Sequence, residues 1–456
     1  MTTRTDPALP TDTIPHRFRT HFLPLVTVLL TGIIAYANSL NGPFLFDDPG
    51  IADKAQLLSR AYSSTARQVA DFSFLLNHYI HGNNVFGFHL LNLLIHLCSA
   101  VTLYFMAASS IRALIGSGPE LSEQSHFMQQ FVPLATALLF VSHPVQTQAV
   151  TYIVQRYTSL ATLFYLFSIL MFIRARVCHL NDAPRIHIWL AGIVSVISGL
   201  VAMRCKEIAF TVPLMLVLVE LFIFHGRLLR SRIFMAGMAV LLLVIPLQQI
   251  LRHGSAGISD LIYGISQGTR EELTYTRTDY LLTQFRVVVT YVRLLLFPVN
   301  QNLDYDYPLQ KAFFTPAVIL PLIFHILMLS SAACMFFKSR VYFKDRKVIT
   351  GTCVRLCSLG IVWFYVTLLV ESSIIPIVDV IFEHRLYLPS AGFFLAIASA
   401  SAGILAQRES TRKKAWIALA GICLILTTAT IRRNTVWSDE LRLWEDTARK
   451  SPNKAR

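Results

Sequence analysis

Phe22-Leu-Pro-Leu-Val-Thr-Val-Leu-Leu-Thr-Gly-Ile-Ile-Ala-Tyr-Ala-Asn-Ser-Leu40 runs without a charge and is followed at once by Asn41-Gly-Pro-Phe-Leu-Phe-Asp47-Asp48. A helix rises about 1.5 Å per residue, so such a run nearly matches a hydrocarbon core of roughly 30 Å. The run is the first of many. Apolar stretches recur at 22–40, 87–109, 130–142, 153–173, 187–204, 207–224, 232–250, 284–298, 316–337, 356–376, 387–406 and 414–431. Of the 456 residues, 54% are hydrophobic and only 14% charged, with a mean hydropathy of +0.54. Soluble chains carry roughly 25% charge, so a soluble enzyme, a disordered tail and a fibrous repeat are excluded. The reading is an all-α polytopic membrane protein.

Lysine and arginine outnumber aspartate and glutamate 40 to 26, a net charge of +14. The excess sits in short loops at Arg174/Arg176/Arg185, Arg227/Arg230/Arg232, Lys338/Arg340/Lys344/Arg346/Lys347/Arg355 and Arg408/Arg412/Lys413/Lys414. Basic short loops mark the cytoplasmic ends of membrane helices, so the charge reads as topology and not as a nucleic-acid patch. If every stretch crossed, the clusters near 230 and 345 would fall on opposite faces. The 284–298 stretch, interrupted by Arg286 and Arg293, is therefore expected to be re-entrant or interfacial. About eleven crossings remain, with the N-terminus inside and the C-terminus outside. Residues 1–21 form a cytoplasmic leader with no small-residue cleavage motif, 22–431 the membrane domain, and 432–456 an outer tail. The seven cysteines lack metal-ligand spacing and are read as packing residues.

This topology puts loop 41–86, the turn 142–156, the Arg204-Cys-Lys206-Glu207 turn, region 251–315 and the Glu383-His384-Arg385 turn on one outer face. Short amphipathic helices there, such as one around Ser64–His78, are expected to lie along the membrane and cap a cavity. The unusual polar residues concentrate in the same segments. Adjacent carboxylates Asp47 and Asp48 at an apolar boundary suit a raised pKa and a general base, while Asp-Asp-Pro is equally good turn chemistry. Arg385 and His384, beside Glu383 and Tyr387, would suit a lipid phosphate, or serve as an interfacial anchor. His143, Arg156, Lys206 and Glu207 complete a basic ring, although each alone reads as a snorkelling or salt-bridged residue. His89, Asn92 and His96 share one helix stripe and are expected to make interhelical hydrogen bonds. Asp304-Tyr305-Asp306-Tyr307 is a surface turn or an acceptor-binding lip. No phosphate loop, zinc-hydrolase motif or Ser/His/Asp order is present.

Five motifs in order now carry a resemblance: Asp47-Asp48; His143-Pro-Val-Gln-Thr-Gln-Ala-Val-Thr-Tyr-Ile-Val-Gln155-Arg156; Lys206-Glu207; Glu383-His384-Arg385-Leu-Tyr387-Leu-Pro-Ser; and Arg433-Asn434-Thr-Val-Trp437. From about residue 20 the chain resembles the TMTC family, membrane O-mannosyltransferase-like proteins of the GT-C glycosyltransferase superfamily that carry tetratricopeptide (TPR) repeats after the membrane domain. The resemblance implies a GT-C-like bundle and a polyprenyl-phosphate sugar donor. It also implies inverting transfer, on the outer face, of mannose or another hexose to a protein hydroxyl. It implies that Asp47 and Asp48 supply the catalytic base. Arg385 and His384 would bind the donor phosphate with Lys206 and Arg156, and Glu207, His143, Glu383, Tyr387 and Tyr305 would support the cavity. A divalent metal at the acidic pair is neither required nor excluded. The chain stops at Arg456, where the repeats would begin, which leaves two alternatives for acceptor binding: a truncation that removes the repeats, or a natural short form served by a separate TPR-containing partner. The expected setting is a bacterial cytoplasmic membrane. A lipid-linked polysaccharide ligase or polymerase, or a lipid-linked sugar transporter, are the alternatives. The former would not need the acidic pair, and the latter commonly shows internal repeats that this chain lacks.

Overall fold

The computed structural model describes residues 14–62, 67–116, 122–244 and 275–454, except 374 and 378. Parts of the leader (1–13), of the expected Ser64–His78 helix (64–66) and of the outer region (251–274) lie outside the described residues. Among the described residues there are helices and no strands. Eight helical stretches among the described residues are long and apolar enough to cross a membrane. They lie in α1 (Ile14–Tyr36), α5 (Val85–Ile115), α8 (Arg156–Leu180), α9 (Arg185–Met203), α13 (Pro316–Lys344), α14 (Val348–Leu368), α15 (Tyr387–Leu405) and α16 (Glu409–Val436).

Three of the roughly eleven expected crossings fall short by that measure. Helix α6 (Glu123–Ser142) opens with a polar turn and a half, α10 (Val212–Ile223) has 12 residues, and α11 (Arg232–Val244) is a shorter apolar helix. At 1.5 Å per residue α10 reaches only about 18 Å, well short of the hydrocarbon core. Both α6 and α10 nevertheless run in the bundle between the same two ends as their neighbours.

One end is basic. There Arg176 of α8 pairs with Glu220 of α10 at 2.7 Å, and Arg355 of α14 donates to the Phe222 carbonyl at 3.0 Å and to Ser339 of α13. Arg412 of α16 reaches Glu123 of α6 at 2.6 Å. At the other end the polar loops gather: Gly42 accepts from His89, Val69 donates to Arg204, Gln148 meets His384, and Thr151 donates to Asn434. Chain direction alternates between these ends from α1 to α16. The exception is α12 (Arg277–Leu296), which stays at the polar-loop end. Its Tyr280, Gln284 and Tyr291 donate in turn to the carbonyls of Glu371, Val380 and Phe382, and its Leu295 carbonyl accepts from His143. A Thr276/Asp279 capping box starts this helix. The arginines that interrupt its apolar pattern explain why it runs beside protein instead of through lipid.

Short helices build the loop end: α2 (Pro49–Ala52), α3 (Lys54–Tyr62), α4 (Gln68–His81), α7 (Thr147–Val150) and, after α16, α17 (Glu440–Lys450). The observed α4 begins later than the expected 64–78 helix. It buries Asp71, Phe74, Leu75 and Asn77 and exposes Phe72, Leu76, Tyr79 and Ile80. An apolar exposed stripe on a helix that is packed on its other side fits one lying at a membrane surface. The core is interhelical, and the expected stripe on α5 bonds across helices: His89 to Gly42, Asn92 to the Val150 and Ile153 carbonyls, and His96 to Tyr387.

Candidate active site

The segment 143–158 organises the loop end. It leaves α6 with His143, whose buried ring donates through Nε2 to the Leu295 carbonyl at 3.2 Å and accepts the Val145 N–H through Nδ1. Burial pushes the His143 pKa down to about 3, so the ring is neutral and this tautomer follows from its partners. From there the segment reaches His384 through Gln148, Asn434 through Thr151, the acidic pair through Tyr152 and Val154, and Lys206 through Thr158.

At Tyr152 and Val154 it meets the acidic pair, whose two members differ. Asp47 is exposed; Tyr152 Oη donates to its carboxylate at 2.9 Å and accepts its backbone N–H at 3.0 Å. Asp48 is 1% exposed and accepts the N–H groups of Leu45 at 3.0 Å and Val154 at 2.7 Å. Burial lifts the Asp48 pKa to about 7 against those hydrogen bonds, with the neighbouring Asp47 charge adding to the rise. Asp48 fastens the loop, while Asp47 presents a carboxylate to the outside.

Arg156 follows, fully buried. Nε donates to Asn92 at 2.7 Å, Nη2 to Asn77 at 2.8 Å and to the Phe88 carbonyl at 3.1 Å, and Nη1 to the Ser73 carbonyl at 3.2 Å. Its guanidinium also lies over the Phe74 ring. This arginine ties α4 to α5 and α8. Two residues on, Thr158 accepts from Lys206 at 2.9 Å, and the buried Lys206 ammonium pairs with Glu371 at 2.8 Å. Burial holds the Lys206 pKa below its ordinary value, and Glu371 opposes that fall. Glu207 forms a two-pronged pair with Arg67, both contacts at 3.1 Å.

Arg385 belongs to the same cluster. It donates to the Asp379 and Val380 carbonyls at 2.6 and 3.1 Å and reaches Tyr280 at 3.4 Å; the Tyr280 hydroxyl in turn donates to the Glu371 carbonyl. His384 offers its N–H to Gln148 at 2.7 Å and stacks on Phe382, and its buried Nδ1 has no hydrogen-bond partner. Glu383 is directed elsewhere. Gln301 Nε2, the Asn302 N–H and the Tyr305 hydroxyl all donate to it, at 2.7, 2.7 and 2.6 Å. That second network continues to the tail, where Ser451 bonds Asn302 and the Asp304 carbonyl, Lys450 reaches the Gln301 carbonyl and Lys454 pairs with Asp304. Tyr387 points into the bundle towards His96 at 2.7 Å.

The structure thus joins Asp47, Asp48, Arg156, Lys206 and His384 through one segment and adds Arg385 through Tyr280. Glu383 with Tyr305, and Tyr387, support neighbouring networks. Sequence reasoning missed Tyr152, Arg67, Glu371 and Tyr280. Tyr152 lay inside a quoted motif; Glu371 and Tyr280 stood in stretches with no local signal, since each meets its partner across more than 90 residues. Of the acidic pair only Asp47 offers a carboxylate outward, since both Asp48 oxygens are buried and taken by Leu45 and Val154, and among the described residues no group of three or more His, Cys, Asp or Glu is placed to hold a metal.

No family model and no solved structure matches the chain. Curated relatives do. Protein O-mannosyl-transferase F38B6.6 of Caenorhabditis elegans is 25% identical over 95% of this chain, and protein O-mannosyl-transferase TMTC3 of Homo sapiens 24% identical over 94%. Protein O-mannosyl-transferase TMTC2 of Homo sapiens is 31% identical over 42% of the chain. The matched regions are 58%, 48% and 23% of those relatives' own lengths, so the chain spans at most about three-fifths of them. The chain is an all-α multi-pass membrane protein with eight membrane-length apolar helices among the described residues, and it is similar through nearly its whole length to curated protein O-mannosyl-transferases, TMTC3 among them.

Proposed function

We propose that the chain is an inverting glycosyltransferase that moves a hexose, mannose by the names of its relatives, from a polyprenyl phosphate to a protein hydroxyl. The observation that carries this reading is the single segment 143–158, which touches an exposed carboxylate at Asp47, the Lys206 ammonium and the His384 backbone within one loop-rich end, where Arg385 joins through Tyr280.

Transfer needs a base for the incoming hydroxyl and positive charge for the departing phosphate. Asp47 takes the acceptor proton as the acceptor oxygen attacks the anomeric carbon. The bond from that carbon to the phosphate oxygen breaks on the opposite face, and polyprenyl phosphate leaves against Lys206 and the unpartnered His384 Nδ1. Asp48 holds Asp47 in place by fixing the loop to Val154, and Arg385 shapes the 379–385 turn. The basic end faces the bacterial cytoplasm and the loop end lies outside, following the distribution of lysine and arginine; acceptor proteins dock outside.

The test is turnover by the purified protein in lipid with a panel of polyprenyl-phosphate sugars and an outer-face protein extract. Sugar on protein and free polyprenyl phosphate are expected from wild type and not from Asp47→Asn. Full activity in both Asp47→Asn and Asp48→Asn overturns the assignment of the base. Loss at Lys206 alone, with both acidic variants active, points to a ligase or polymerase instead.

A further inference from the structure

At the basic end, opposite the candidate active site, α1, α5 and α8 surround a cavity of about 780 Å³. Its lining is ordered by depth. Arg112 lies in the last turn of α5 and Arg174 near the end of α8, while Phe105, Leu170 and Met171 line the part further into the spans. Seven residues separate Phe105 from Arg112 and four separate Leu170 from Arg174, so the apolar floor lies about 6–10 Å deeper than the guanidinium groups. His21, at the start of the first span, closes one wall and is anchored to Tyr104 at 2.8 Å.

We propose that this cavity binds an anionic membrane phospholipid, with its phosphate held by Arg174 and Arg112 and the first carbons of its acyl chains on the apolar floor. Arg174 is exposed and makes no hydrogen bond or ion pair with the described residues, so it can turn to an incoming phosphate at no cost in lost contacts. A free anion has no use for the floor, and an uncharged lipid has none for the arginines. Basic pockets between spans on the cytoplasmic side recognise lipid phosphates in this way. The volume suits a glycerophosphate head with a few methylenes. The sequence of the leader is itself net basic, with Arg4, Arg17 and Arg19 against Asp6 and Asp12, so its charge does not favour it as the occupant.

The test is thermal unfolding and lipid titration of the purified full chain in neutral detergent, with phosphatidylglycerol, phosphatidylcholine or inorganic phosphate added separately. Phosphatidylglycerol is expected to raise Tm and saturate, with no saturable rise from the other two. Arg112→Gln/Arg174→Gln is expected to weaken phosphatidylglycerol binding about thirtyfold, at roughly a factor of five per cation. The exposed single variant Arg174→Gln should fold normally and show about a fivefold loss, which keeps the test open if the double variant is unstable. An equal response to phosphatidylcholine, an equal response to inorganic phosphate, or unchanged phosphatidylglycerol affinity in Arg174→Gln overturns the proposal.

Discussion

Replacing Arg156 by methionine separates a structural strut from a phosphate ligand. The guanidinium is fully buried and serves Asn92, Asn77 and the Phe88 and Ser73 carbonyls at 2.7–3.2 Å. Methionine fills much of the volume but removes the guanidinium's donors from those four acceptors. Hydrogen bonds to a charged group contribute about 1.5–3 kcal/mol each, and breaking a buried charged network from one side costs about 3–5 kcal/mol once the neighbours relax. At about 2 °C per kcal/mol, the value for larger domains, Tm should fall by about 6–10 °C. Arg156→Lys keeps the charge but not the planar fork, so it should lose roughly half as much. The assay is tryptophan-monitored unfolding in one detergent, with polyprenyl-phosphate binding measured on the same samples well below the lower Tm. Binding per folded molecule should be unchanged. An Arg156→Lys variant with wild-type Tm and about tenfold weaker donor binding would refute the strut reading and restore Arg156 to the donor site.

The acidic pair should divide under pH. The Asp48 carboxyl titrates near 7 in the folded chain against 3.8 as the ordinary value. Its contribution to stability is therefore fully present below about pH 4 and is lost as pH rises through about 7, and Asp48→Asn should flatten that part of the Tm profile. Asp47→Asn should stop transfer and keep the pH-dependent Tm, with its inflection moved to lower pH because the Asp47 charge adds to the Asp48 rise. Lys206→Met strands the buried Glu371 carboxylate and should cost about 3–5 kcal/mol by chemical unfolding, whereas Lys206→Met/Glu371→Met should recover most of the loss. A Cβ at Gly360 of α14 would overlap the Gly392 carbonyl and crowd Ala396 of α15, so Gly360→Ala should push the two spans apart and cost about 1–3 kcal/mol, read as a lower Tm.

Much of the site was legible because its residues travel in short motifs. The 143–156 stretch, Lys206-Glu207 and Glu383-His384-Arg385 were singled out one by one, and their gathering at one end followed from the parity of the crossings. The His89, Asn92, His96 stripe was read correctly because helical spacing puts those residues on one face. Arg156 was grouped with the phosphate ligands because a sequence shows a charge but not whether its donors are already used.

Composition and the length of the apolar runs determined by themselves that this is a helical membrane protein, because hydrocarbon leaves the backbone few other ways to satisfy its hydrogen bonds. The basic loops marked one end of the bundle, and the interruptions at Arg286 and Arg293 marked the helix that stays at the other. Only the tertiary structure decided which of two adjacent carboxylates faces outward, which cations are spent on the protein's own carbonyls, and that Glu371 and Tyr280 join the cluster. Those outcomes depend on burial and on partners far away in the chain, and nothing in a residue's neighbours along the sequence encodes them.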